Sequence, residues 1–163
     1  MKKLLVLALL ATGLSSNAQV HFGTKEYFTA SIAVDPHASI SSKALNVMVE
    51  LEYVHSAIYI KSSLQVHTGL EGGYIDFGGG VGINLTEGYF EETRAYAGVR
   101  LGIIRRDIYN YPLAGFEGGL DHDLSDTIFI GIKGTGDYRS DYKYFNADPK
   151  IKYSGFVRIG FKF

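Results

Sequence analysis

Three groupings in the sequence bring together residues able to do chemistry. His37 and Ser39 form a His-x-Ser pair, with Asp35, Ser41 and Ser42 close by in sequence and His67 and Asp107 in other segments. A serine hydroxyl becomes a nucleophile when an imidazole within hydrogen-bond reach takes its proton and a third group orients that imidazole. Spacing alone does not supply that reach. Residues 121–126, DHDLSD, set Asp121, Asp123 and Asp126 around His122. They have the makings of a weak divalent-cation site, but the same residue types build a solvated turn between strands, which is the preferred reading. The glycine run FGGGVG at 77–82 matches neither G-x-x-x-x-G-K-[ST] nor G-x-G-x-x-G, and no helical pattern follows it. The expectation is a non-enzymatic chain with no cofactor and no metal.

A fourth grouping is larger. Period-two alternation of apolar and polar residues recurs along the chain after residue 18, with no sustained helical periodicity. Eight strands are expected, at 27–35, 44–54, 57–67, 74–85, 93–104, 113–122, 127–137 and 151–163. At 9 to 13 residues they are longer than the usual globular strand of about 5–6, and match the roughly 9–11 of a tilted transmembrane strand. One face of each is apolar: Phe28, Ala30, Ile32 and Val34 on the first; Ile75, Phe77, Val81 and Ile83 on the fourth. The other face is charged. It carries Glu50 and Glu52 on strand 2, Lys61 on strand 3, Asp76 on strand 4 and Arg94 and Arg100 on strand 5. Glu117 and Asp121 follow on strand 6, Lys133 on strand 7, and Lys152, Arg158 and Lys162 on strand 8. From strand 2 to strand 7 the sign flips at every step.

In an antiparallel meander, sequential strands are neighbours, so opposite charges are expected to meet across each pair. A solvated face needs no such order; a closed lumen does. The fold expected is therefore all-β: an eight-stranded antiparallel up-and-down transmembrane β-barrel with an apolar outer face and an ion-paired polar lumen. Gly78, Gly80 and Gly82 fall on the inward face of strand 4, where missing side chains make room for Tyr59 and Tyr96. A soluble, secreted ligand-binding barrel is the alternative, and so charged an inner face argues against it.

The start of the chain reads as a leader. Lys2 and Lys3 precede an apolar run at 4–11, and Ser16-Asn17-Ala18 suits signal peptidase. The run is short of the roughly 20 residues of a spanning helix. Residues 1–18 are expected to be a cleaved signal peptide and 19–163 a single barrel domain. There is no cysteine, hence no disulfide framework and no lipidation site. Without Lys2 and Lys3, 14 of the 16 basic residues face 17 acidic ones, a balance that suggests no nucleic-acid partner.

The leader, the eight alternating strands and a terminal Phe on an aromatic-rich last strand together resemble the small outer-membrane β-barrels of Gram-negative bacteria, the OmpA/OmpX-like type. The resemblance covers the whole mature chain as a pattern, with the long 86–92 turn and a strand 6 with three glycines as departures. It implies location in the outer membrane, with a periplasmic N-terminus. It also implies that Tyr153, Val157, Ile159, Phe161 and Phe163 form the C-terminal signal read by the barrel assembly machinery. Other implied partners are outer-membrane lipid and lipopolysaccharide, and an extracellular ligand or host surface. Outer loops are then expected at 36–43, 68–73, 105–112 and 138–150, with all three prolines in them or at their edges. Tyr109, Tyr111, Tyr138, Arg139, Tyr142, Tyr144 and Phe145 combine Tyr and Arg as recognition surfaces do, although rings at such positions also form the interfacial belt. The function expected is display of these loops for surface interaction, adhesion or envelope integrity. The alternative is a lipid A-modifying enzyme, since some barrels of this size transfer or remove acyl chains with Ser and His.

Overall fold

The structure, a computed structural model, describes residues 26–41, 43–55, 57–69, 73–85, 92–143 and 151–163. The expected leader, its cleavage site, Ser42, Tyr144, Phe145, Pro149 and most of the 86–92 turn lie outside these residues. Eight strands close into one barrel in sequence order. They are β1 (Glu26–Val34), β2 (Leu45–His55), β3 (Ile58–Thr68), β4 (Tyr74–Leu85), β5 (Thr93–Arg106), β6 (Tyr109–Asp123), β7 (Ile128–Arg139) and β8 (Ile151–Lys162). Every neighbouring pair, including β1 with β8, is antiparallel. A six-residue helix, α1 (Pro36–Ser41), follows β1, and a 3-10 turn (Ser140–Lys143) follows β7.

The ladder fixes the stagger. Cα partners lead from Thr29 through Glu52, Lys61, Gly80, Arg100, Gly115 and Asp137 to Lys152. Yet Thr29 itself pairs with Lys162 on β8, ten residues further along. A stagger of ten around eight strands tilts them strongly and leaves a lumen that side chains can fill.

Alternation sorts the faces. Phe28, Ile32, Val49, Leu51, Ile60, Phe77, Val81, Val99, Leu101, Ile132 and Val157 are exposed on the outside. Glu50, Glu52, Lys61, Asp76, Arg94, Arg100, Glu117, Lys133 and Arg158 are buried inside. This is the inverse of a soluble barrel and the arrangement of one that faces hydrocarbon. Rings gather toward both ends of the outer wall. Phe28 lies 4.8 Å from Tyr53 and stacks on Phe163 at 6.2 Å near one end. Phe116 and Tyr153 lie 6.3 Å apart toward the other.

Three details differ from the sequence reading. The expected loop at 105–112 is a two-residue turn, Asp107 and Ile108, because β5 and β6 pair up to Arg106 and Tyr109. Asp107 takes a φ of 53°, which Asp tolerates better than most residues. Tyr109, Tyr111 and Pro112 are thus strand residues. Pro112 fits because the β6–β7 ladder begins only at Leu113, and its carbonyl accepts from Ser140 Oγ at 2.8 Å instead. The glycine accommodation is also wider than expected. A Cβ at Gly82 would lie 2.6 Å from the Tyr59 ring, as strand 4 suggested, but Tyr96 lies over Gly119 of β6, with its ring at 2.7 Å from a Cβ there. Finally, residues 121–123 end β6 rather than lie in a turn.

Candidate functional site

The lumen is the most elaborated part of the molecule. At its centre Lys61, Glu50, Lys133 and Glu117 form a four-membered ring of alternating charge. Lys61 Nζ lies 3.5 Å from Glu50 Oε1 and 2.8 Å from Glu117 Oε1. Lys133 Nζ lies 2.5 Å from Glu50 Oε1 and 2.9 Å from Glu117 Oε2. A second ring joins Arg94, Glu52, Arg158 and Asp121. Arg94 bonds Glu52 and approaches Asp121 at 3.5 Å. Arg158 reaches Glu52 at 3.5 Å and Asp121 at 3.6 Å. Arg158 Nη1 also lies 3.8 Å from Glu50 Oε2, which links the rings. Four bases and four acids cancel, so this layer presents no net charge to a permeating ion.

The rings are braced by polar and aromatic partners. Tyr59 OH donates to Glu117 Oε1 at 2.8 Å. Arg158 donates to Tyr96 OH at 2.8 Å and Ser31 Oγ at 3.1 Å. The rings of Tyr59 and Tyr96 meet edge to face at 5.6 Å. Lys61 Nζ lies 4.9 and 4.8 Å from their centroids. Such buried ions are held in place by mutual satisfaction, since each alone would be costly.

Pairing does not simply follow neighbouring strands as the sign pattern suggested. Some partners are neighbours, such as Lys133 with Glu117. Others cross the lumen, such as Lys133 with Glu50 and Arg94 with Glu52. Toward the α1 end, Arg100 sits between Asp76 at 3.0 Å and Asp137 at 3.4 Å. At the opposite end Lys162 bonds Asp123.

The upper mouth, beside α1, has its own cluster, mostly unanticipated. Asp35 Oδ1 accepts from the Ala38 amide and Oδ2 from Asn46 Nδ2, both at 3.0 Å. Gln65 Nε2 donates to Asn46 Oδ1 at 2.7 Å. His67 stacks on Tyr74 at 4.8 Å. The Arg139 guanidinium lies 3.9 Å from the Tyr74 centroid and 4.6 Å from that of Tyr142. It donates to Asp141 at 3.1 and 2.7 Å. Asp137, the direct ladder partner of Lys152, was missed because strand 7 was expected to end there. Its parity with Lys133 already put it on the inner face.

The expected loop residues separate. Arg139 points inward and is buried, Tyr142 packs on it, and Tyr138 is exposed on the outer wall. Tyr111 packs against the buried cluster of Tyr74, Ile104 and Leu113, and Tyr109 is exposed near the turn. Strand alternation also splits 121–123. Asp121 and Asp123 face the lumen, whereas His122 is exposed and pairs with Thr93 Oγ1 at 3.0 Å. Ser39 Oγ donates to the Asp35 carbonyl at 3.2 Å, so the His-x-Ser hydroxyl is engaged with backbone. On β8, Tyr153, Val157, Ile159 and Phe161 are all exposed on the outer face, as is Phe163 just beyond it.

A closed, ion-plugged barrel with an apolar exterior defines the class: an eight-stranded transmembrane β-barrel. Solved structures share this fold. The N-terminal β-barrel domain of Pseudomonas aeruginosa OprF matches with a TM-score of 0.60 at 10% identity, over 85% of this chain and 100% of that one. Neisserial surface protein A matches with a TM-score of 0.58 at 12% identity, over 84% and 95%. The Yersinia pestis outer membrane protein Ail matches with a TM-score of 0.55 at 10% identity, over 85% and 100%. No protein-family model matches the chain, and no curated protein does.

Proposed function

We propose that this chain is a small, non-enzymatic outer-membrane barrel that presents its α1 end at the cell surface for interaction, adhesion or envelope integrity. One observation carries the reading: an outer wall that is apolar through the middle of the barrel encloses a lumen in which every central charge is paired. A protein built to conduct would leave its lumen open, and one built to carry an apolar ligand would line it with apolar side chains. Filling it with ion pairs closes the interior and leaves the ends for function. Neisserial surface protein A and the outer membrane protein Ail are by name surface and outer-membrane proteins, which supports the location. Outer-membrane lipid, including lipopolysaccharide, would be its solvent, and the barrel assembly machinery would receive the strand that ends in Phe163.

The test is gel mobility in SDS of the protein from an outer-membrane fraction, unheated against boiled. A shift on boiling supports a detergent-resistant barrel in that membrane. A soluble periplasmic protein with no shift sinks the proposal.

A further inference from the structure

The charge balance of the lumen changes at the upper mouth. The central rings cancel and Arg100 faces two acids. At the mouth, the inward-facing cations among the described residues are Arg106, Arg139 and Lys152, against the acids Asp35 and Asp141; Asp137, the ladder partner of Lys152, is turned to Arg100 at 3.4 Å. Both acids are committed. Asp141 holds Arg139 through two hydrogen bonds and lies 3.6 Å from Arg106. Asp35 accepts from the Ala38 amide and Asn46.

Lys152 is left over. Its side chain is half-buried, and no carboxylate of the described residues lies within 4.0 Å of its Nζ. Its neighbour is the Tyr74 ring, 5.5 Å to the centroid. Arg139 and His67 converge on that same ring, and His67 Nδ1 is buried with no hydrogen-bond partner. A half-desolvated ammonium with no carboxylate of the described residues in ion-pair reach and an orphan imidazole nitrogen are both unfavourable.

The wall beside Lys152 is incomplete. β1 ends at Val34, opposite Val157, whereas β8 continues up to Ile151. Over that stretch β8 is flanked by α1 instead of a strand, and Ile40 of α1 is 81% exposed. Among the described residues, α1 is the element that flanks β8 on this side of the mouth.

We propose that the upper mouth is a phosphate-binding site, with Lys152 and His67 as donors, Tyr74 as their platform and Arg139 adding positive charge. A phosphate, with at least three acceptor oxygens, suits separate donors on different strands better than a carboxylate does. The proposal deepens the surface-interaction reading and rests on the α1 end facing outward in the cell. Binding itself is measured on purified protein and so stands or falls apart from that reading.

The first probe is inorganic phosphate, titrated against chloride at equal ionic strength, with the His67 ring signals followed by NMR in micelles. A saturable shift specific to phosphate is expected. Lys152→Gln weakens it roughly tenfold or more, and Lys43→Gln, at an exposed lysine that is not one of the donors, leaves it unchanged. Two further arms identify the source: glucose 1-phosphate in solution, and nanodiscs holding diphosphorylated lipid A against the dephosphorylated lipid. A response to either supports the site and names where its phosphate comes from. If neither phosphate nor these two ligands moves His67 beyond the chloride control, or if Lys152→Gln binds as the parent does, the proposal is overturned. Heat-modifiable mobility checks folding of each variant. Should Lys152→Gln fail to fold, His67→Gln replaces it, read by calorimetric titration with phosphate and the same expected loss.

Discussion

Glu52 and Lys61 are direct partners across the β2–β3 ladder, yet they do not pair. Lys61 bridges Glu50 and Glu117, while Glu52 is taken by Arg94 and Arg158 from strands β5 and β8. In an open sheet a facing lysine and glutamate would be each other's nearest counter-charge. Closing the sheet on a narrow lumen brings non-adjacent strands within side-chain reach, and the best-satisfied arrangement is shared among five strands.

The central ring should therefore behave as a unit. Lys133→Met leaves Glu50 and Glu117 short of a buried counter-charge and is expected to cost about 3–5 kcal/mol. Adding Glu50→Gln removes the surplus acid; Lys61 keeps Glu117, and Arg158 keeps Glu52 and Asp121. The double variant is expected to recover most of the loss. Urea unfolding in lipid vesicles, read by gel mobility, gives both numbers. Additive losses in the double variant would show that the four residues act independently.

Glycines supply the second contrast. A Cβ at Gly119 would stand 2.5 Å from the Ile132 carbonyl oxygen and 2.6 Å from Tyr96 OH. At Gly155 it would meet nothing within 4 Å. Gly119→Ala is expected to lose about 1–3 kcal/mol through overpacking, and Gly155→Ala to stay within about 0.5 kcal/mol of the parent. The same vesicle titration decides it.

Much of this architecture was legible in the sequence, because a strand's alternation assigns each residue to a face regardless of register. Glu50, Lys61, Arg100 and Arg158 could be placed inside on parity alone. Their partners could not, since pairing depends on the stagger of ten, which is set jointly by turns and closure. The β5–β6 turn was misread for a different reason. Tyr109, Asn110, Tyr111 and Pro112 have loop-like composition, but here they continue a ladder in which Tyr111 packs against Tyr74. The upper-mouth cluster was invisible because it gathers residues from β2, β3, β4, β7 and β8.

Lumen closure predicts electrical behaviour. With Tyr59, Tyr96 and the two charged rings across the bore, planar-bilayer recordings should show no large, stable conductance. Replacing Tyr59, Tyr96 and Arg158 together by Gly removes the widest side chains at that level and should produce measurable current. Large steady currents through the parent protein would contradict the closed lumen.

Phe163 separates folding from delivery. Its amide donates to the Phe28 carbonyl at 3.0 Å, its carbonyl accepts from the Phe28 amide at 2.9 Å, and its ring stacks on Phe28. Phe163→Ser keeps the backbone pair and loses the ring contact. Refolding in vitro should be only modestly weakened, by about 0.5–1.5 kcal/mol. If the terminal strand is also an address, the amount reaching the outer membrane in cells should fall far more than stability does. Equal losses in refolding and delivery would leave Phe163 a packing residue only.

The assignment of faces is tested most directly at Val99, which lies mid-strand on β5, points outward and is 57% exposed. On a soluble barrel, Val99→Lys would be an ordinary surface change, within about 0.5 kcal/mol of neutral. In a bilayer the ammonium must either enter hydrocarbon or drag water toward it, at about 2–4 kcal/mol near the midplane. The inward neighbour Arg100 already shows how the chain treats a cation at that depth, between Asp76 and Asp137. Val99→Lys should therefore unfold at lower urea in vesicles, while Arg105→Lys, on the outer face near the α1 end of the same strand, should not. A neutral Val99→Lys would mean that this wall does not face lipid.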